Sequence, residues 1–242
     1  MRKKTDIEEI RKIAIAFLHL TPEPVGHGFV AHPFFNSQHI AKENPSDKKL
    51  EMVDILEHPE ALEPRIKYIQ KQLEKAELPD IYCLMRDCYY ITFLKYTRKY
   101  MSKQDFSEYL GFAWVAAENP NQDKNVSKTN LLTWFKNTDK TYLMEKEDYN
   151  HYMSLPEKVK IFRGVREYKC EKGLSWTQNK AKAEWFSQRY GAKGYVLEGE
   201  IAKEHIFAYF NGRKEEEIVC DFKMVEIKSK YDPNNQKGEE IK

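Results

Sequence analysis

Arg163 sits in the run Ile161-Phe-Arg-Gly164, where strand alternation points Val159, Ile161, Arg163 and Val165 to one face. A guanidinium on an apolar face stays charged at ordinary pH and needs a carboxylate or an anionic ligand such as a phosphate. Gly164 beside it permits close backbone approach. Ser175 and Thr177 stand two apart in Gly173-Leu-Ser-Trp-Thr177, so in an extended segment both hydroxyls face one way and Trp176 the other. Glu215, Glu216 and Glu217 immediately precede Ile218-Val-Cys-Asp-Phe222. An extended chain puts Glu215 and Glu217 on one face, about 7 Å apart at Cα. Together these residues offer a grip for an anion, two hydroxyls and a pair of carboxylates. Each also suits a structural role: an arginine at a sheet rim or against a structural acid, hydroxyls in an ordinary strand, glutamates in a solvated turn.

The elements that must position them are legible in the spacing. Residues 159–165, 195–201, 206–210, 218–222 and 224–227 alternate or are β-rich. One helix interrupts them at 179–190, with Gly191 where a C-cap belongs. Upstream, Ile7, Ile10, Ala14, Phe17 and Leu18 follow helical spacing, as do Leu62, Ile66, Ile69 and Leu73. A third helix of about five turns starts after Pro79 and runs into the Tyr-rich stretch 89–100, and a fourth covers 106–117. Ser127 caps a further helical segment carrying Leu131, Leu132 and Phe135. Residues 21–45, with Pro22, Pro24, Pro33 and Pro45, read as an ordered loop. The expectation is an α+β protein in three parts: a largely helical N-terminal region at 1–110, a split mixed-strand domain at 111–230 and a flexible tail at 231–242.

Composition narrows the function classes. In 242 residues, 41% hydrophobic and 13% aromatic side chains supply a real core and rule out wholesale disorder. A net charge of +2 is too small to argue for phosphate-backbone binding. The four cysteines show no C-x-x-C pairing, which indicates neither zinc nor a disulfide framework and favours a reducing, cytoplasmic compartment. Acids before the short apolar run 13–18 do not make a signal peptide, and no apolar stretch is long enough to span a membrane. His27, His32 and His39 lack the spacing of a helical metal pair, so no metal is expected. Tyr89, Tyr90, Lys95, Tyr96, Arg98, Lys99 and Tyr100 could stack on nucleic acid, or form a helix packed on its Tyr face with its cations outward. P-loop, G-x-G-x-x-G and G-x-S-x-G signatures are absent.

The combination says more than its parts. Arginine-glycine on one strand, Ser-x-Thr on the next, an aromatic helix, then Glu-x-Glu opening a late strand resembles the R-S-E branch of the ADP-ribosyltransferase superfamily. Ile161-Phe-Arg-Gly164, Leu174-Ser-Trp-Thr177, Ala183-Glu-Trp-Phe186 and Arg213-Lys-Glu-Glu-Glu-Ile-Val219 are similar to bacteriophage and bacterial members, including an anti-CRISPR type. The resemblance covers 155–221 and extends upstream through 114–120 and Leu143-Met144, which carry no chemical motif. The Ser-x-Thr element departs from the usual Ser-Thr-Ser by placing Trp176 at its centre.

That resemblance implies a split-sheet NAD-binding core and transfer of ADP-ribose from NAD, without a metal, to a protein acceptor or alternatively a nucleic acid. NAD glycohydrolysis and a catalytically silent binding module are its rivals. Cleaving the nicotinamide–ribose bond creates an oxocarbenium-like sugar, which calls for a nearby negative charge and for donors to the pyrophosphate or ribose. By resemblance, Glu217 binds the ribose hydroxyl and stabilises the cation, Ser175 holds Glu217, and Arg163 grips the dinucleotide. Thr177 joins the cofactor-binding set, the Gly164 backbone meets the nicotinamide amide, and Phe186 or Trp176 packs on a ring. Glu215 activates the attacking group. Glu216 is the alternative to Glu217 should the strand open with a bulge.

Overall fold

Helical spacing brings Ile10, Ala14 and Leu18 onto one completely buried face of α1 (Ile7–Leu18), whose first turn Asp6 caps by accepting from the Glu9 amide at 3.3 Å. In the computed structural model, which describes residues 3–44 and 46–234, α1 belongs to the first of two compact units, Met1–Ser102 and Lys103–Lys242. The same unit holds α2 (Glu63–Leu73), α3 (Leu78–Leu84) and α4 (Tyr90–Thr97). Leu73, Ile81, Phe93 and Leu94 are completely buried in it.

Two expectations for this unit need correction. The Pro-rich segment 21–45, read as a loop, carries one antiparallel hairpin, β1 (Glu23–Gly26) with β2 (Phe29–Ala31), and the first strand of a second, β3 (His39–Glu43) with β4 (Leu50–Asp54). The first reverses through Gly26, His27 and Gly28, all at positive φ. The expected five-turn helix is broken between α3 and α4. Met85 and Arg86 are extended there, and the Arg86 guanidinium donates to the carbonyls of Val30, His32 and Phe35 at 3.1–3.3 Å. These bonds come from residues more than fifty positions away, and they override a locally helical pattern.

The second unit opens with α5 (Lys103–Ala116), which runs unbroken across the position where the sequence suggests a boundary at 110/111. Phe106, Leu110, Ala113 and Trp114 form its buried stripe. Ser127 caps α6 (Lys128–Lys136), accepting from the Asn130 amide at 3.2 Å, and α7 (Lys140–Leu143) and α8 (Lys146–Ser154) follow. The strands are β5 (Lys158–Val165), β6 (Ser175–Thr177), β7 (Tyr195–Ala202), β8 (Ile206–Phe210), β9 (Glu217–Cys220) and β10 (Glu226–Tyr231), with α9 (Lys180–Gln188) between β6 and β7. They form one sheet in the order β10-β7-β5-β6-β9-β8, and every pairing is antiparallel rather than mixed.

Its two halves meet at a single residue pair, Phe162 with Thr177, so the sheet opens beside β5 and β6. Helix α9 lies directly on β5. A Cβ at Gly164 would stand 2.2 Å from the Ala183 carbonyl oxygen, so only glycine admits this approach. Tyr231, expected at the start of the tail, closes β10 and donates to Glu184 at 3.1 Å, while 235–242 lie outside the described residues. Among the described residues no helix is long and apolar enough to cross a membrane.

Candidate active site

Glu217 begins β9 and is paired on both sides, with Thr177 of β6 and Phe210 of β8. Pairing on both sides satisfies its backbone within the sheet, and its side chain is only 5% exposed. Its Oε1 accepts from the Trp114 indole N–H at 3.0 Å and from the Ser175 hydroxyl. Its Oε2 accepts no hydrogen bond among the described residues. Burial pushes the Glu217 carboxyl above the usual range, although the hydroxyl, the indole and the Arg213 charge pull the other way.

The turn that delivers Glu217 is tied down residue by residue. Lys214 and Glu216 adopt left-handed conformations, with φ of +55° and +48°. The Glu216 amide donates to Asn211 Oδ1 at 3.2 Å, its carbonyl accepts from the Gln178 amide at 3.1 Å, and its carboxylate accepts from Asn179 Nδ2 at 2.9 Å. The Thr177 hydroxyl donates to the Glu215 carbonyl at 2.6 Å and accepts from the Asn179 amide at 2.9 Å. The consequence is a split of the glutamate run: Glu215 and Glu217 line one cavity, and Glu216 is turned away onto Asn179. Arg213 pairs with Glu215 at 3.5 Å on the cavity wall.

That cavity, about 130 Å³, lies where the sheet opens. It brings together Arg163, Gly164, Ser175, Phe186, Glu215 and Glu217, and Thr177 and Trp176 also border it. The Trp176 side chain is nonetheless almost wholly buried and donates its indole N–H to the Gly173 carbonyl at 3.1 Å, a packing role on the opposite side of β6. Phe186 is half-buried, with its ring edge-on to exposed Trp185 at 5.0 Å.

Arg163 departs from expectation. Its protein partners are main-chain carbonyls and not a carboxylate: its guanidinium donates to those of Cys170 at 2.8 Å, Glu171 at 3.1 Å and Ser175. A Cβ at Gly173 would collide with that guanidinium at 2.2 Å. Arg163 therefore packs the loop between β5 and β6 and fixes the strand that carries Ser175. Of the five N–H groups of a guanidinium, one on each Nη is left.

Several walls of the site carry no motif. Trp114 reaches Glu217 across 103 positions of sequence, and Asn121, which accepts from the Leu174 amide at 2.8 Å, stands in the same cavity wall. The signals for Trp114 are its place at the end of an apolar helix and at the start of 114–120, which the resemblance reaches without a chemical motif. Among the described residues no cluster of His, Cys, Asp and Glu could hold a metal ion. Comparison with protein-family models, with curated proteins and with solved structures finds no match to this chain.

Proposed function

We propose that the C-terminal unit is a mono-ADP-ribosyltransferase that transfers ADP-ribose from NAD to a protein side chain and releases nicotinamide. The observation that carries this reading is the state of Glu217: a buried carboxylate, held through Oε1 by Ser175 and Trp114, with Oε2 left open on a cavity shared with a second carboxylate. A purely structural carboxylate at that depth would have both oxygens satisfied.

The residues suit the dinucleotide at its nicotinamide end. A cavity of about 130 Å³ is close to the roughly 150 Å³ that accepts a benzene ring. It can enclose one planar ring, with Phe186 in its wall, and leaves the rest of NAD on the open rim. NAD supplies a glycosidic bond to a cationic pyridine, whose cleavage leaves positive charge on the ribose. Glu217 Oε2 can accept from a ribose hydroxyl and face that charge, a charge-assisted contact worth roughly 1.5–3 kcal/mol. Ser175 and Trp114 fix the carboxylate in advance, so no reorientation is needed as charge develops. Glu215, half-buried beside the same cavity, is placed to take the proton from an attacking group. The part given to Arg163 is reduced to its two remaining N–H groups; its main contribution is to hold Ser175 in line.

The test is incubation of the pure protein with NAD labelled in the adenylate, with and without a cell lysate, following free nicotinamide and protein-bound label. Label on protein with stoichiometric nicotinamide supports the transferase. Nicotinamide with free ADP-ribose and no label would make it a glycohydrolase, label on nucleic acid would change the acceptor class, and silence in every channel would overturn the reading.

A further inference from the structure

In the N-terminal unit, β3 pairs with β4 on one side only. The Ile55 amide donates to the Gln38 carbonyl at 2.9 Å and the Asn44 amide to the Lys49 carbonyl at 2.8 Å, at the two ends of one unbroken register. Main-chain direction alternates along an antiparallel pair, so Ile40 and Lys42 bond to β4, while His39, Ala41 and Glu43 turn their amides and carbonyls outward. Ser37 satisfies His39, its hydroxyl donating to the carbonyl at 2.7 Å and accepting from the amide at 3.2 Å. The main chains of Ala41 and Glu43, both exposed residues, have no such partner among the described residues. Two residues of strand edge are thus open, and a two-stranded sheet is marginal until a third strand joins it.

That edge is one wall of a cavity of about 560 Å³, within the range of binding clefts. Phe35, Ala61 and Pro64 give it an apolar lining, and Arg65 stands over the Phe35 ring at 5.5 Å. Strand alternation sends Ile40 and Lys42 to one face of β3 and Glu43, which pairs with Lys48 at 3.1 Å, to the other. Glu51, across the hairpin from Lys42, accepts instead from Asn44 Nδ2 at 2.8 Å. Lys42 and Arg65 therefore bring two positive charges to the cavity wall with no carboxylate partner among the described residues.

We propose that this edge takes an extended acidic peptide of a partner protein as a third, antiparallel strand of the hairpin. Two peptide residues, spaced i and i+2, exchange main-chain hydrogen bonds with Glu43 and Ala41. The residue between them stands opposite Lys42 as a close pair, and a glutamate or aspartate there meets the lysine directly. Arg65 adds to the same positive field. A second copy of this chain is a poor occupant. Centred on Ala41, a pairing of two β3 strands would set Glu43 against His39, whose amide and carbonyl Ser37 already uses. Centred on Lys42, it would press two like charges together. Recognition of this kind belongs to the N-terminal unit and stands whether or not the C-terminal unit cleaves NAD.

The experiment titrates the full, isotope-labelled chain with the end-capped peptide Thr-Val-Glu-Val-Thr and follows the backbone amides by NMR. Saturable shifts are expected at Ala41 and Glu43, with smaller changes at Met52 on the far strand. Methylating the backbone nitrogens of both peptide valines removes the donors that meet β3 and should abolish binding. Lysine in place of the peptide's glutamate should weaken binding about tenfold or more, and Lys42→Glu should reverse that preference. Arg65→Ala should weaken the acidic peptide by a smaller factor, with an unchanged circular dichroism spectrum. Absence of shifts at about 5 mM peptide, equal affinity for the two peptides, tolerance of the methyl groups, or shifts centred on Met52 overturns the proposal. So does concentration-dependent dimerisation that broadens Ala41 and Glu43 without peptide, since a second copy would then hold the edge.

Discussion

Arg86 in the N-terminal unit and Arg163 in the C-terminal unit are built alike. Each is half-buried, each donates to three main-chain carbonyls of a nearby loop, and each stands beside a buried titratable group, His32 or Glu217. The difference lies in how those two groups are satisfied. His32 Nε2 donates to the Leu20 carbonyl at 3.0 Å, Nδ1 accepts from the Phe34 amide at 3.1 Å, and the ring stacks on Phe35 at 4.6 Å. Nothing on it is left for a ligand. Glu217 has both donors on one oxygen and the other open to a cavity. Burial and a displaced pKa occur at both places, so they do not distinguish a working site from a packed one. Unused hydrogen-bonding capacity facing a cavity does.

The strongest test of that distinction is Glu217→Gln. It keeps volume and the Ser175 and Trp114 partners but removes the charge, and nicotinamide release should fall by roughly 10²–10³-fold, the range for losing one such electrostatic contact. Circular dichroism should show an unchanged fold. A rate within twofold of wild type would mean that Glu217 is as structural as His32.

What the sequence revealed of this comparison follows a physical line. Strands β5 and β7 are legible because period-two burial of residues such as Val159, Ile161 and Val165 is written locally, and β8 because its five buried residues form a continuous apolar run. The contact between Ser175 and Glu217 is legible only through the resemblance, because the two residues stand 42 positions apart and the strand register sets Thr177 opposite Glu217. The carbonyl partners of Arg86 and Arg163 are not legible, since every residue has a carbonyl and no side-chain type marks those that will be used. Nor is the turning away of Glu216, which depends on a left-handed residue and on Asn179 across the turn. Within Glu215-Glu216-Glu217 the residue types are identical, and only the backbone separates their roles.

The two buried groups should also bend stability with pH in opposite directions. Burial lowers the His32 pKa to about 4, against 6.5 for a free imidazole. The native ring is neutral at pH 7, and stability is complete above 6.5. As pH falls towards 4 the unfolded chain takes up a proton that the native ring refuses, and up to about 3 kcal/mol is lost. For Glu217 the native pKa is raised, so the native carboxyl keeps a proton that the unfolded one sheds above about 4.5. That penalises the native state as pH rises, and Glu217→Gln should stabilise the protein at neutral pH and have no such effect at acid pH. Urea titrations of wild type, His32→Gln and Glu217→Gln at several pH values would separate the two slopes. A His32 variant with the wild-type pH dependence would show that the ring takes up its proton as readily in the native state as in the unfolded chain.

Arg86→Lys and Arg163→Lys sharpen the likeness between the two arginines. A lysine keeps the charge but cannot fan out to three carbonyls, and each change should cost about 2 kcal/mol, typical of losing hydrogen bonds to a charged donor. Only Arg163→Lys should also slow nicotinamide release, by displacing Ser175 from Glu217. If Arg163→Lys leaves stability unaltered and only weakens NAD binding, the arginine of β5 serves the ligand after all.

The smallest effect should come from Asn179→Ala, and it bears on why Glu217 rather than Glu216 faces the cavity. Asn179 accepts from the Lys182 amide as the cap of α9 and donates to the Glu216 carboxylate, while its own amide donates to Thr177. Alanine at this position removes the cap and the clamp together, at a cost of about 1 kcal/mol in stability. If the clamp sets the register, the rate of nicotinamide release should fall by more than this loss of stability accounts for, because the freed Glu216 lets the left-handed turn relax and carries Glu217 away from Ser175. Asn179→Asp separates the two functions: it retains the cap, but sets a second carboxylate against Glu216. Wild-type stability with impaired release in that variant would assign Asn179 to positioning. Impaired stability with normal release would confine it to the helix cap.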